Sequence, residues 1–272
     1  MTQPFSRSMS WRLLLMLCLA EPLLSQAQIG FQVSPAKLYF NRASADNQPL
    51  RLHITNPMDT RLVLQATCAD WRRDSVGEKV YYPPGTLPTS GCSLFKVIPD
   101  VIELAPGEKR DVLVSLIPNQ QAPTNAIQNA MLLLTQSNEQ EVARQKGTSQ
   151  FIIKAQIGVH VYVLPTDHTE PEVAITGMSL TQATRPYQVN VKIHNTGKAL
   201  LESQLRMEYL NMSTMEEVKT EAVPVNTMPD EAFRVTTNVP PNLSAGKYLI
   251  VAVLDSGPGQ ALKVAELETV LK

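Results

Sequence analysis

Several features that announce chemistry are missing from this chain. It has no Cys-x-x-Cys pair, no Gly-x-Ser-x-Gly elbow and no glycine-rich phosphate loop, so dithiol redox, nucleophile-elbow hydrolysis and nucleotide chemistry lack support. The four histidines, His53, His160, His168 and His194, are scattered, and none has the spacing of a metal site. We therefore expect no catalytic residues, no metal and no cofactor. A charge excess of either sign is also missing, the formal net charge being -1. Without a positive field, phosphate backbones and anionic bilayers are poor partners, so nucleic acid and stable membrane insertion are not expected.

What is present is ordinary globular composition with a strong strand signature. The 272 residues are 43% hydrophobic and 18% charged, which supplies two cores of roughly 100 residues each and excludes a disordered chain. The 20 prolines outnumber the 12 glycines, and β-branched alternating runs recur between them, as in a chain of short strands and turns. In the first half the alternation predicts strands over 31–39, 50–56, 61–71, 95–97, 101–104, 110–117, 130–135 and 150–164, about the count of an immunoglobulin-like sandwich. Leu164-Pro165-Thr166-Asp167-His168-Thr169-Glu170-Pro171 then breaks the pattern as a short hinge should. A second set follows over 173–175, 187–194, 203–210, 233–237, 248–255 and 261–270, while 212–218 fits either a short helix or a loop. The expected fold is all-β, two immunoglobulin-like sandwich domains covering 28–165 and 170–272.

Residues 1–27 read as an export signal. Arg7 and Arg12 give a positive start, residues 13–20 an apolar stretch, and Ser25-Gln26-Ala27 a small-x-small cleavage site. Glu21 and Pro22 hold the apolar run far below the roughly 20 residues of a membrane span. Cys18 lies in this segment, which leaves Cys68 and Cys92 for an oxidising compartment. A disulfide between them is the expectation, two buried free thiols the alternative.

Two conspicuous stretches have plain explanations. Asp70-Trp71-Arg72-Arg73-Asp74 reads as a solvated strand edge and turn, and Tyr81-Tyr82-Pro83-Pro84-Gly85 as a loop packing its tyrosines over the disulfide.

Three stretches resemble the periplasmic pilus (fimbrial) assembly chaperone family. Val33-Ser34-Pro35-Ala36-Lys37-Leu38-Tyr39-Phe40, followed by Leu50-Arg51-Leu52-His53-Ile54-Thr55-Asn56, is similar to that family's first two strands. Leu104-Ala105-Pro106-Gly107-Glu108 is similar to its Leu-x-Pro-Gly turn. Phe151, Ile153, Ala155, Ile157, Val159, Val161 and Val163 alternate up to Leu164-Pro165 like its long last strand.

The resemblance implies a periplasmic chaperone that caps an incomplete immunoglobulin-like subunit by donating a strand and delivers it to an outer-membrane assembly platform. Phe151, Ile153, Ala155, Ile157 and Val159 would be the donor residues, filling a groove where main-chain groups are unpaired. The polar stretch 136–150 would be the mobile loop before that strand. By the same resemblance Lys37 and the position of His160 would bind the subunit's terminal carboxylate, histidine standing where the family has lysine. The alternative is a tandem immunoglobulin-like structural or adhesive surface protein, in which the last strand covers only its own core.

Overall fold

A computed structural model describes residues 30–42, 48–117, 125–145, 147, 152–166, 171–183 and 185–272. The segment read as an export signal, Phe151 and His168 lie outside the described residues, as do hinge residues 167–170. Among the described residues the fold is all-β apart from one short helix.

The first half builds two facing sheets. One has the order β1-β3-β8-β6, from β1 (Gln32–Ser34), β3 (Leu50–Thr55), β8 (Lys109–Leu116) and β6 (Phe95–Ile98). The other has the order β2-β10-β9-β4-β5, from β2 (Lys37–Asn41), β10 (Gln156–Leu164), β9 (Gln128–Gln136), β4 (Leu62–Arg73) and β5 (Lys79–Tyr82); β7 (Val101–Leu104) also pairs with β4. Strand alternation sends Leu52, Ile54, Val112 and Val114 from one sheet against Leu64, Leu132, Leu134, Val159, Val161 and Val163 of the other. Each such side chain contributes roughly 1.5 to 3 kcal/mol on burial. Cys68 and Cys92 are disulfide-bonded, with Cα atoms 5.8 Å apart.

The second half repeats the plan. Strands β11 (Val173–Thr181), β12 (Gln188–Asn195) and β16 (Ala232–Asn238) form one sheet. The facing sheet has the order β14-β13-β17-β18, from β14 (Glu217–Lys219), β13 (Leu201–Asn211), β17 (Gly246–Asp255) and β18 (Lys263–Leu271), with β15 (Val223–Thr227) on β13. Val191, Ile193, Met207, Tyr209, Ile250 and Leu254 fill the space between. The ambiguous stretch 212–218 is a turn running into β14.

Four expectations are corrected. The run 31–39 is two strands in different sheets, because the chain crosses at Pro35, which has no N–H to continue a ladder. The last strand of the first sandwich begins at Gln156, not at 150, so it has 9 residues. The segment before it contains the helix α1 (Glu139–Gln145), tied down by Glu139 to Lys154 (3.6 Å) and Glu141 to Arg61 (3.7 Å). Tyr81 and Tyr82 belong to β5, paired opposite Trp71 and Asp70, and the Tyr82 ring lies under Arg72.

Both sandwiches carry the same corner. Asn56 and Asn195 are fully buried at the ends of β3 and β12. The Asn56 side-chain amide donates to the Thr60 and Ala105 carbonyls (2.9 Å each), and its oxygen accepts from Met58 N–H (3.1 Å). Asn195 donates to the Ala199 and Thr227 carbonyls (2.9 and 3.2 Å) and accepts from Gly197 N–H (3.0 Å). Against each asparagine sits a Pro-containing turn, Ala105-Pro106-Gly107-Glu108 or Met228-Pro229-Asp230-Glu231, closed at 3.1 Å by the glutamate N–H on the first carbonyl. Its third residue is left-handed, Gly107 at φ 71° and Asp230 at φ 61°.

Candidate binding site between the two sandwiches

Parity fixes which residues face the junction. On β2, Leu38 and Phe40 enter the core, so Lys37 and Tyr39 point out; on β10, Val159, Val161 and Val163 enter the core, so His160 and Tyr162 point the other way. The two strands run parallel, with His160 opposite Lys37 and Tyr162 opposite Tyr39. The tyrosine rings stack with centroids 5.4 Å apart. Sequence reasoning singled out Lys37 and His160, and the fold sets them side by side.

Neighbours that sequence reasoning missed complete the cluster. Lys79 of β5 reaches across the Trp71 ring (5.7 Å) to bring Nζ within 2.9 Å of His160 Nε2. The Trp71 and His160 rings meet edge to face, with centroids 4.8 Å apart. From the second sandwich, Glu202 Oε1 receives both Lys37 Nζ and Tyr39 Oη at 2.5 Å. That ion pair is partly exposed, so it contributes at most about 1 kcal/mol. Among these, Tyr39 alone had a signal in the sequence, since it lies two residues from Lys37 and thus on the same face.

The stretch 70–74 is not a solvated edge. Asp70 is fully buried, accepting from Leu87 N–H (2.8 Å) and Ser90 Oγ (2.6 Å), and Trp71 is buried too. Neighbouring strand residues face opposite ways, so the two are covered separately: Asp70 by the 87–90 turn of its own sandwich, and Trp71 by an apolar cluster with Ile127, Met131, Tyr162 and Met228 of the second sandwich. Arg73 spans the joint, its Nε donating to the Asn226 carbonyl at 3.2 Å and its guanidinium lying 5.2 Å from the Phe233 ring centroid. The tip of the β4–β5 hairpin seats on β16 by Arg234 N–H to the Ser75 carbonyl (3.0 Å). Gly77, at φ 88°, makes that contact possible: a Cβ there would sit 3.1 Å from Phe233 Cδ2.

The electrostatics favour an anion. Burial first, then Lys79, Arg73 and Lys37, push the His160 imidazole down to about 4, so it is neutral near pH 7. A lysine ammonium can only donate, so His160 Nε2 accepts from Lys79 and the ring proton resides on Nδ1, towards Tyr162 Oη at 3.3 Å. Burial, Arg73 and Lys37 lower Lys79. Burial works to raise Glu202, but the bonds from Lys37 and Tyr39 outweigh it and leave its carboxyl below the usual range.

The edge of β10 changes character at His160. Strand β9 covers one edge from Gln156 to Val163. On the other edge β2 covers only His160 to Leu164, because the chain has just crossed from the opposite sheet. His160 N–H donates to the Ala36 carbonyl (3.0 Å), and by alternation the N–H and C=O of Gln156 and Gly158 face the uncovered edge. Upstream of it, Ile152 and Ile153 are 53% and 61% exposed. Of the other residues read as donors, Ala155 and Ile157 pack half-buried on the first core and Val159 is enclosed in it; Phe151 lies outside the described residues.

Among the described residues no group of three or more His, Cys, Asp or Glu could hold a metal ion, and no helix is long and apolar enough to cross a membrane. No family model and no curated protein matches the chain. Solved structures similar to it include a chain of the CsuC–CsuE chaperone–tip adhesion subunit pre-assembly complex from archaic chaperone-usher Csu pili of Acinetobacter baumannii. The identity is 12%, covering 87% of this chain and 97% of that one, at a TM-score of 0.49. Others are the class 5 fimbriae chaperone CfaA (11%, 89% and 100%, TM-score 0.46) and the E. coli chaperone DraB (14%, 88% and 98%, TM-score 0.44). At such identities and scores, a role for this chain rests on its own geometry.

Proposed function

We propose that this protein is a periplasmic assembly chaperone that caps an incomplete immunoglobulin-like subunit, by lending it the start of β10, and hands it to an outer-membrane platform. The observation that carries this reading is the uncovered edge of β10 at residues 156–159, continued by the exposed Ile152 and Ile153 and ending against a basic cluster. A guest strand lying on that edge gains main-chain bonds at Gln156 and Gly158, each contributing about 1 kcal/mol net. In exchange, Ile153 enters the guest's open core for roughly 1.5 to 3 kcal/mol. Val159 remains in the chaperone's own core, so the loan is made by residues 151–157.

The guest's direction follows from the cluster. Lys37 stands where the uncovered edge ends, so a guest whose terminal carboxylate binds there runs parallel to β10, in line with β2. Lys37 then acts as the cationic anchor, while His160, neutral at pH 7, orients its neighbours.

The enclosed face of Val159, Val161 and Val163 is also what a tandem structural or adhesive surface protein would have, and one experiment separates the readings. Replacing Ile153 by Asp should cut recovery of a co-purifying subunit from the native periplasm at least tenfold while the thermal midpoint stays unchanged. Equal recovery from both chains would refute strand donation.

A further inference from the structure

The basic cluster already holds a carboxylate, and that carboxylate belongs to the protein. Glu202 opens β13 of the second sandwich, yet both of its hydrogen bonds come from β2 of the first, from Lys37 Nζ and Tyr39 Oη onto the same oxygen. One sandwich thus presents an acid to a receptor built on the other. The side chains of Lys37 and Glu202 are 32% and 47% exposed, so an outside carboxylate has access to the same donors. Lys79 is the other cation of the cluster. Its ammonium is fixed by His160, which is fixed by Trp71 and stands opposite Lys37.

Building on the chaperone reading above, we propose that Glu202 is a built-in occupant of the cargo-carboxylate site, displaced when a subunit's terminal carboxylate binds, and that Lys79, held by His160, supplies the second cation there. The arrangement makes capture a swap of one acid for another. Between cargoes Lys37 is not left facing Lys79 without an acid, since Glu202 is paired with Lys37. A guest strand ending in a neutral group cannot displace Glu202, so the site selects strands that end in a free carboxylate at the uncovered edge.

The test uses the full chain and two probes, an acetylated decapeptide of alternating threonine and valine ending in phenylalanine with a free carboxylate, and the same peptide amidated. Affinities are read by fluorescence polarisation. Removing the occupant with Glu202→Gln should tighten the acid peptide about tenfold and leave the amide within twofold. In the Glu202→Gln chain, adding Lys79→Met should weaken the acid peptide about tenfold, again sparing the amide. If Glu202→Gln, or the added Lys79→Met, leaves the acid peptide within twofold, the inference is overturned. Lys37→Ala separates this from the underlying reading. Loss of acid preference in Lys37→Ala, with no response to Glu202 or Lys79, keeps the chaperone's carboxylate anchor and removes the swap. Acid and amide binding alike in every chain would remove both.

Discussion

The two corners built around Asn56 and Asn195 have the same parts and different uses. In the first sandwich, Glu108 binds Ala105 N–H through one oxygen (2.7 Å) and Arg110 through the other (2.6 Å), so the corner closes on itself. In the second, Glu231 binds Met228 N–H (2.9 Å) through one oxygen, but the other accepts the Arg73 N–H of the first sandwich at 3.3 Å. Met228, in the position of Ala105, adds its side chain to the Trp71 cluster. A module that stabilises one sandwich internally has, in the other, become the joint that holds Trp71, Arg73 and hence Lys79 beneath the junction.

The largest expected effects test whether the corners are equally structural. Asn56→Ala and Asn195→Ala each leave buried carbonyls without donors, and each should cost about 3 kcal/mol in urea unfolding. A loss under 1 kcal/mol at either site would show that the two corners are not equivalent. Next is the joint itself. Gly77→Val forces a side chain against Phe233 and the Arg234 carbonyl and strains a left-handed residue. It should change the interdomain shape in solution scattering and, by moving β5, weaken the acid peptide several-fold; an unchanged scattering profile would contradict the docking.

A smaller effect distinguishes the sandwiches by pH. His160 has an ordinary value of 6.5 and a folded value of about 4. As pH falls below 6.5 the unfolded chain takes up a proton that the folded chain refuses. The stability that depends on a neutral His160 is therefore complete above pH 6.5 and lost on the way down to pH 4. Denaturation of the first sandwich should show this slope, and His160→Phe should flatten it. The smallest effect concerns Asp230, which occupies the left-handed position held by glycine in the other corner. Asp230→Gly relieves that strain and should raise stability by up to about 1 kcal/mol; a loss instead would mean the Asp230 side chain has a role of its own.

Much of this was legible because strands write a period of two into the chain. The alternation located most strands and both cores, and parity sets Lys37 and Tyr39 on one face. Alternation reports which face is buried, however, and not whether a neighbouring strand is present. The run from Phe151 to Val163 therefore read as one long strand, although its ladder begins at Gln156. The charges of 70–74 suggested solvent for the same reason, since the partners that bury Asp70 and Trp71, the 87–90 turn and Met228 of the second sandwich, lie far along the chain. Lys79 and Glu202 left no trace in the sequence. They reach the cluster from β5 and from the other sandwich, over 165 residues in the case of Lys37 and Glu202, and local pattern does not carry such distances.

The crossover at Pro35 and Ala36 also works as a ruler. Because β2 enters beside His160, anything that extends along the bare rim of β10 meets a fixed end-stop there. Side chains in a sheet invert with each step, so moving that stop by one position would turn every residue of the visitor over, presenting its polar face where its oily one belongs. A single bend in the backbone thus sets the phase in which the visitor must lie.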